Sequence, residues 1–246
     1  MRQFVKSNVS GMNPHFSYRG EEQTRIETFS DAVFALAVTL LVLSSIVPET
    51  FTEIYASLSD IVPFGICIVL LTLIWYQHYI FFIRYGLKDV KIVSLNTILL
   101  FLVLIYVYPL KFLFKVLFQM WVAIFTGDQE TMNHIFTEVL LPDQSSMLMI
   151  VYGVGAAGIF LVMAMMYSVA YKRKEQLELS PVEGFLTKTS MYSNLLMASV
   201  PLLSVLLTLL FDNFALSGFI YWIYPIIMPL FHSLRNKKGR RLYPEL

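Results

Sequence analysis

The sequence predicts an all-α integral membrane protein of six transmembrane helices with both termini in the cytoplasm. Three observations predict it. Apolar residues make up 57% of the 246 and charged residues only 14%, a balance far from that of an ordinary soluble domain. Six apolar runs of about 20 residues, the length that crosses a bilayer as a helix, lie near 28–47, 61–83, 92–118, 146–170, 193–211 and 215–233. The segments between these runs alternate in charge, which sets the orientation by the positive-inside rule.

Residues 1–24 are polar, carry Arg2, Lys6 and Arg19, and have neither an apolar h-region nor a cleavage site. They read as a short cytoplasmic tail rather than a secretory signal. The first span then begins near Thr28, and the acidic segment with Glu49, Glu53 and Asp60 follows it on the outer side. Span two returns to Arg84, Lys88 and Lys91. In span three, Pro109, Lys111 and Lys115 mark where the helix is expected to leave the bilayer and continue as an amphipathic extension toward Gly127. The two lysines, spaced i, i+4, would snorkel to the outer interface. Asp128, Glu130, Glu138 and Asp143 lie outside, with 132–141 as an interfacial stretch or short helix. Lys172, Arg173, Lys174 and Lys188 join spans four and five inside, and Asp212 joins five and six outside. After span six come Arg235, Lys237, Lys238, Arg240 and Arg241, a topology signal with contact to anionic lipid as a second option.

Residues 1–246 read as a single transmembrane domain. Cys67 is the only cysteine, so no intrachain disulfide forms. The other histidines, His15, His134 and His232, are scattered without metal-ligand spacing, and neither a metal site nor a cofactor is expected. No nucleic-acid partner is expected; the bilayer is. No internal repeat is evident, so a chain of this kind that surrounds a pore has to oligomerise.

The topology places the polar residues of the spans by depth. Asp31 lies just inside span one, His78 just before the end of span two, and Asn96 just after the start of span three. At about 1.5 Å per residue each is about 5–8 Å inside the inner boundary. Trp75, three residues before His78, shares its face. A carboxylate, an imidazole, an amide and an indole at one depth form a network, because an unsatisfied polar group in hydrocarbon is costly. Arg25 stands at its cytoplasmic edge. At about 100° per residue, Asp31 shares a face with Phe34, Ala35, Val38 and Val42, whereas Leu36, Thr39 or Leu40, and Leu43 lie on another stripe. Arg25 and Asp31 are about 120° apart around that helix, so the arginine is expected to bond across helices or subunits.

The run Arg25-x-x-x-Phe29-Ser30-Asp31, with Trp75-x-x-His78 in span two and Asn96 at the start of span three, resembles the bacterial branch of the transmembrane protein 175 family of potassium channels. All elements occur in order along the chain. Ala32 stands where bacterial relatives commonly have glycine and is still small. The resemblance implies a potassium-favouring passive cation channel in the plasma membrane, with permeating potassium ions and no cofactor. It further implies a homotetramer whose four first helices line a path constricted by apolar side chains, and onto this chain that stripe falls at Leu36, Thr39 and Leu43. Arg25, Ser30, Asp31, Trp75, His78 and Asn96 would then hold the helices around the pore rather than coordinate ions.

Other readings remain open at this point. Leu36 and Leu43 would otherwise be lipid-facing or packing residues, and Thr39 would bond back to its own helix. A proton- or ion-coupled secondary transporter would use Asp31 and His78 as a relay, and would show inverted repeats or broken helices; only Pro201 and Pro225 offer interruptions. An enzyme would need a nucleophile, metal cluster or cofactor motif, which the spans lack. The run Val151-Tyr152-Gly153-Val154-Gly155 has the residue types of a potassium filter loop in the wrong order and inside a long apolar run. With Ala156, Ala157 and Gly158 it reads as a small-residue helix contact face.

Overall fold

The computed structural model describes residues 15–20, 22–43, 49–52, 60–140, 142–211 and 214–244. The described chain is helical and without strands. Its elements are α1 (Arg25–Leu43), α2 (Ile61–Tyr85), α3 (Val90–Thr126), α4 (Gln129–His134), a π-helical turn (Ile135–Val139), α5 (Pro142–Lys172), α6 (Pro181–Phe211), α7 (Phe214–Phe219), a 3-10 turn (Ile220–Ile223) and α8 (Tyr224–Leu242). Among the described residues, five stretches are long and apolar enough to cross a membrane: Ile61–Tyr85, Val90–Val107, Pro109–Thr126, Gln144–Lys172 and Pro181–Phe211.

Several boundaries differ from the predicted spans, each for a local reason. The first helix starts at Arg25 because Thr24 and Glu27 cap it reciprocally. The Thr24 backbone N–H donates to Glu27 Oε1 at 3.0 Å, and the Glu27 N–H donates to Thr24 Oγ1 at 3.3 Å. Residues 44–47 of the predicted span lie outside those described. The third helix continues past 118 toward Gly127, as expected, and is 37 residues long in all, with Pro109 inside it. Its second half is by itself long and apolar enough to cross a membrane. Gly127, at φ 71°, ends it. Lys115 pairs with Asp60 at 2.8 Å, and Lys111 Nζ donates to the Leu41 carbonyl at 2.9 Å. The two lysines thus fasten α3 to the start of α2 and to the end of α1, and at α1 the cation meets the carbonyl end of the helix, which favours it.

Helix α6 begins twelve residues before its predicted span. Glu183 and Lys188 kept that first part out of the apolar run, yet Ser180 caps it through bonds to and from Glu183 (Ser180 N–H to Oε2, 2.8 Å; Glu183 N–H to Ser180 Oγ, 3.2 Å). Pro201 leaves α6 continuous, whereas the predicted last span is broken into α7, the 3-10 turn and α8, with Pro225 at the start of α8. Proline fits the first turn of a helix, whose N–H groups have no partner, and so favours a restart there.

Helices α5 and α6 form the most extensive contact, α3 packs on α5, and α1 and α2 lean on α3. The largest fully buried side chains include Phe81, Phe82 and Tyr85 of α2 and Met163 and Met166 of α5. Tyr85 donates to Thr187 Oγ1 at 2.8 Å, linking α2 to α6. The Val151–Gly155 run lies within α5. A Cβ on Gly153 would stand 2.4 Å from Val205 Cγ2 and 3.0 Å from the Pro201 carbonyl, and one on Gly155 would stand 2.4 Å from the Tyr106 ring. These glycines let α5 approach α6 on one side and α3 on the other. Gly153→Ala is expected to cost about 1–3 kcal/mol by overpacking. Gly65→Ala, where nothing lies within 4 Å, should be neutral or slightly stabilising. Thermal unfolding of the two variants in detergent makes the comparison.

Candidate functional site

Helix α1 has two faces. Phe34, Ala37 and Leu41 are buried with Glu27 and Ser30, while Phe29 is 64% and Leu36 50% exposed. Arg25, Ala32, Thr39 and Leu40 are also exposed. At about 100° per residue, Arg25, Phe29, Ala32, Leu36, Thr39 and Leu40 form one continuous stripe opposite the buried set. Thr39 Oγ1 donates to the Ala35 carbonyl at 3.0 Å, so its lone pairs point away from its own helix. Leu43 ends α1, and its side chain lies outside those described.

The polar residues divide into two hydrogen-bonded groups. In the first, Trp75 Nε1 donates to Asp31 Oδ1 at 2.8 Å, and Gln23 Nε2 donates to Oδ2 at 3.1 Å. Asp31, Phe34, Ala35 and Val38 share a cleft of about 350 Å³ with Leu71, Thr72 and Trp75, while Val42 stands exposed. In the second, His78 Nε2 is 2.7 Å from Asn96 Oδ1, Asn96 Nδ2 donates to Ser30 Oγ at 2.9 Å, and Ser30 Oγ donates to the Ile26 carbonyl at 2.8 Å. With the amide nitrogen engaged on Ser30, Asn96 Oδ1 accepts, so His78 carries its proton on Nε2. The sequence order of donors and acceptors thus runs α2 to α3 to α1. Ser30, His78 and Asn96 are fully buried, and the His78 ring packs against Phe34 and Phe82 at 5.6 and 4.7 Å between centroids.

Arg25 joins neither group and has no ion pair among the described residues. Asp31 and His78 are held separately, by Trp75 and Asn96.

Two contributions were not read from the sequence. Gln23 supplies the second donor to Asp31 from outside the helix, and nothing in the local pattern marks it. Residues 15–20 are more than a tail: they strap across the end of α2 and the start of α6. The Gly20 N–H donates to the Ile83 carbonyl at 3.0 Å, and Phe16 is buried edge-on against Tyr85, with centroids 5.6 Å apart. Gly20 is required there, since a Cβ would meet the Phe82 carbonyl at 2.6 Å. Arg19 closes the strap on Glu183, with Nη1 and Nη2 each 3.0 Å from a carboxylate oxygen, and its Nε donates to the Leu177 carbonyl at 2.6 Å. The Ser17 N–H adds a further donor to Glu183 at 2.7 Å. The spacing Ser180-x-x-Glu183 signals a cap, and with it a carboxylate that must be kept near the helix start.

Residues 25–109, which hold the exposed stripe and every residue of both groups but Gln23, match the family described as "Endosomal/lysosomal potassium channel TMEM175". Across nearly the whole chain, a protein of Marivirga tractuosa named "Potassium channel" is 54% identical over 243 residues, 97% of this chain and 98% of that one. The chain belongs to the TMEM175 family. A second likeness extends this to three dimensions. The crystal structure of a threonine-to-alanine variant of the potassium channel MtTMEM175, bound to a nanobody fusion protein, superposes with a TM-score of 0.82. It is 51% identical, covering 92% of this chain and 99% of that one. TMEM175 relatives are thus described as potassium channels, not as enzymes, and their fold is the all-helical membrane architecture found here. The TMEM175 match begins at Arg25 and ends at Pro109, so it spans α1, α2 and the first half of α3.

Proposed function

We propose that this TMEM175 protein is a passive, potassium-favouring cation channel of the plasma membrane. In this reading it is a homotetramer in which α1 of each subunit lines the conduction path. The observation that carries the reading is the exposed stripe of α1, with Leu36 and Thr39 at its centre. A helix fixed by buried polar bonds on one side and bare on the other is suited to presenting that bare side to a lumen. A ring of four Leu36 side chains makes a constriction that gates by dewetting and strips part of an ion's hydration. Four Thr39 oxygens, their protons committed to the Ala35 carbonyls, offer acceptors to a partly dehydrated cation. Leu43, seven residues beyond Leu36, continues the stripe by helical register.

The whole chain acts as one transmembrane domain with six crossings and both termini cytoplasmic, a topology supported by the sorting of lysine and arginine between loops. Ser30, Asp31, Trp75, His78 and Asn96 hold α1 against α2 and α3, and Arg25, unpaired within the described chain, bonds to a neighbouring subunit. The separation of Asp31 from His78 does not favour a proton relay, and no step of a coupled transporter is drawn through them.

The test is ion flux from purified protein in liposomes under a potassium gradient, with sodium substitution. Rapid downhill current that tracks potassium is expected. Leu36→Ala or Thr39→Ala should alter conductance or the potassium-to-sodium ratio severalfold with assembly intact, whereas Asp31→Ala and Arg25→Ala should damage assembly. Unchanged conductance and selectivity in the alanine variants of Leu36, Thr39 and Leu43 alike would remove the pore assignment. Slow, saturable movement that needs a proton gradient would put a transporter in its place.

A further inference from the structure

At the basic end of the bundle, the start of α6, the end of α8 and the α5–α6 turn enclose a cleft of about 750 Å³. Lys174, Lys188, Arg235 and Lys238 line it, against Glu175 and Glu178. None of the four cations is ion-paired among the described residues; the arginine and lysine pairs at this end are Arg19 with Glu183 and Arg173 with Asp89.

The cations are fixed by aromatic rings and hydroxyls instead. The Arg235 guanidinium lies over Phe185 at 4.2 Å and near Tyr192 at 5.6 Å, and its Nε and Nη2 donate to Thr189 Oγ1 at 3.0 and 2.8 Å. Nη1 has no partner among the described residues. Lys188 Nζ stands over Tyr171 at 4.6 Å and Lys174 Nζ over the same ring at 5.9 Å. A ring holds a cation in place without neutralising it. Preset positive charges with unused donors are what a phosphate oxygen seeks, bidentate at arginine and as a point charge at lysine.

Next to the cleft both helices turn apolar. One turn beyond Tyr192, α6 presents exposed Leu195 and half-buried Leu196; one turn before Arg235, α8 presents half-buried Phe231, with half-buried Met228 beyond it. A soluble phosphate has no use for apolar neighbours, whereas a lipid needs them for its acyl chains.

We propose that this cleft binds the phosphate of an anionic phospholipid, held by Lys188 and Arg235 with Lys174 and Lys238 at the mouth, its acyl chains running between α6 and α8. The site does not depend on which helix lines the pore.

The test uses the full-length protein in neutral detergent, with bound lipid counted by native mass spectrometry. Phosphatidylglycerol should be retained over phosphatidylcholine by the parent protein and by a charge-matched control, Lys91→Gln/Lys172→Gln/Lys237→Gln, whose positions do not line the cleft. Retention should fall by about tenfold or more in Lys174→Gln/Lys188→Gln/Lys238→Gln, whose lysines lie at the surface or half-buried, and in Arg235→Gln. Equal loss in the control would reduce the effect to general surface charge and overturn the site, as would equal retention of the two lipids. Melting curves with inorganic phosphate separate the sources. Stabilisation of the parent but not the cleft variant by inorganic phosphate, with none from phosphatidylglycerol, would overturn the lipid assignment.

Discussion

Arg19→Ala is expected to destabilise the protein by about 3–5 kcal/mol, the cost of leaving a buried carboxylate without its charge partner. Glu183 has only 3% of its side chain exposed and Arg19 21%, so water cannot replace the guanidinium. Burial by itself would push the Glu183 carboxyl up, but the Arg19 bond and the backbone N–H groups of Ser180 and Ser17 outweigh it and hold the group below its ordinary value. A carboxyl lowered in the folded state contributes stability that is complete above its unfolded pKa of about 4.3 and is lost as pH falls through the lower folded value. In Arg19→Ala the burial effect is unopposed by the guanidinium, so acid relieves the variant instead. The gap in melting temperature between parent and variant should therefore narrow as pH drops below about 4.3. Arg19→Ala/Glu183→Gln should melt above Arg19→Ala. A double variant no better than the single one would mean that the strap, not the charge, carries the loss.

Asn96→Ala is the second substitution with a large expected effect, about 1–3 kcal/mol. It removes the acceptor of His78 and the donor to Ser30 at once, and both remain buried. Interhelical hydrogen bonds in membranes are often worth less than this, because an unpacked helix in lipid finds other partners. The higher figure holds here because Asn96 joins three helices and its partners Ser30 and His78 are buried with it. Thermal unfolding together with size-exclusion profiles tests it. A loss below about 0.5 kcal/mol would place the hold on α1 in the packing of Phe34, Ala37 and Leu41 instead.

The two faces of α1 were legible in the sequence because 100° of turn per residue separates Leu36 from Asp31 whatever the surroundings. The shared depth of Asp31, Trp75, His78 and Asn96 was legible because polar groups in an apolar run must answer one another. Their pairing was not. Trp75 and His78 sit on one face of α2, yet one bonds to α1 and the other to α3, a choice set by the rotation of each helix about its axis. Helix ends were hidden where hydropathy and helicity part company. The polar first turns of α6 are helical but not apolar. The strap escaped notice because its main contact joins residues 164 positions apart, and no local pattern reports such a distance.

That separation bears on how the molecule is made. Of the described helices α1 leaves the ribosome first, with Arg25, Glu27 and Asp31 in its opening turns. Its carboxylate meets Trp75 only after α2 has emerged, Ser30 meets Asn96 only after α3, and the strap that precedes it meets Glu183 only once α6 has begun. Chains generally fold from the amino end as they are synthesised, yet α1 is held once α3 has followed it, and the strap only once α6 has begun. The strap, which precedes α1 in the chain, is therefore secured after it.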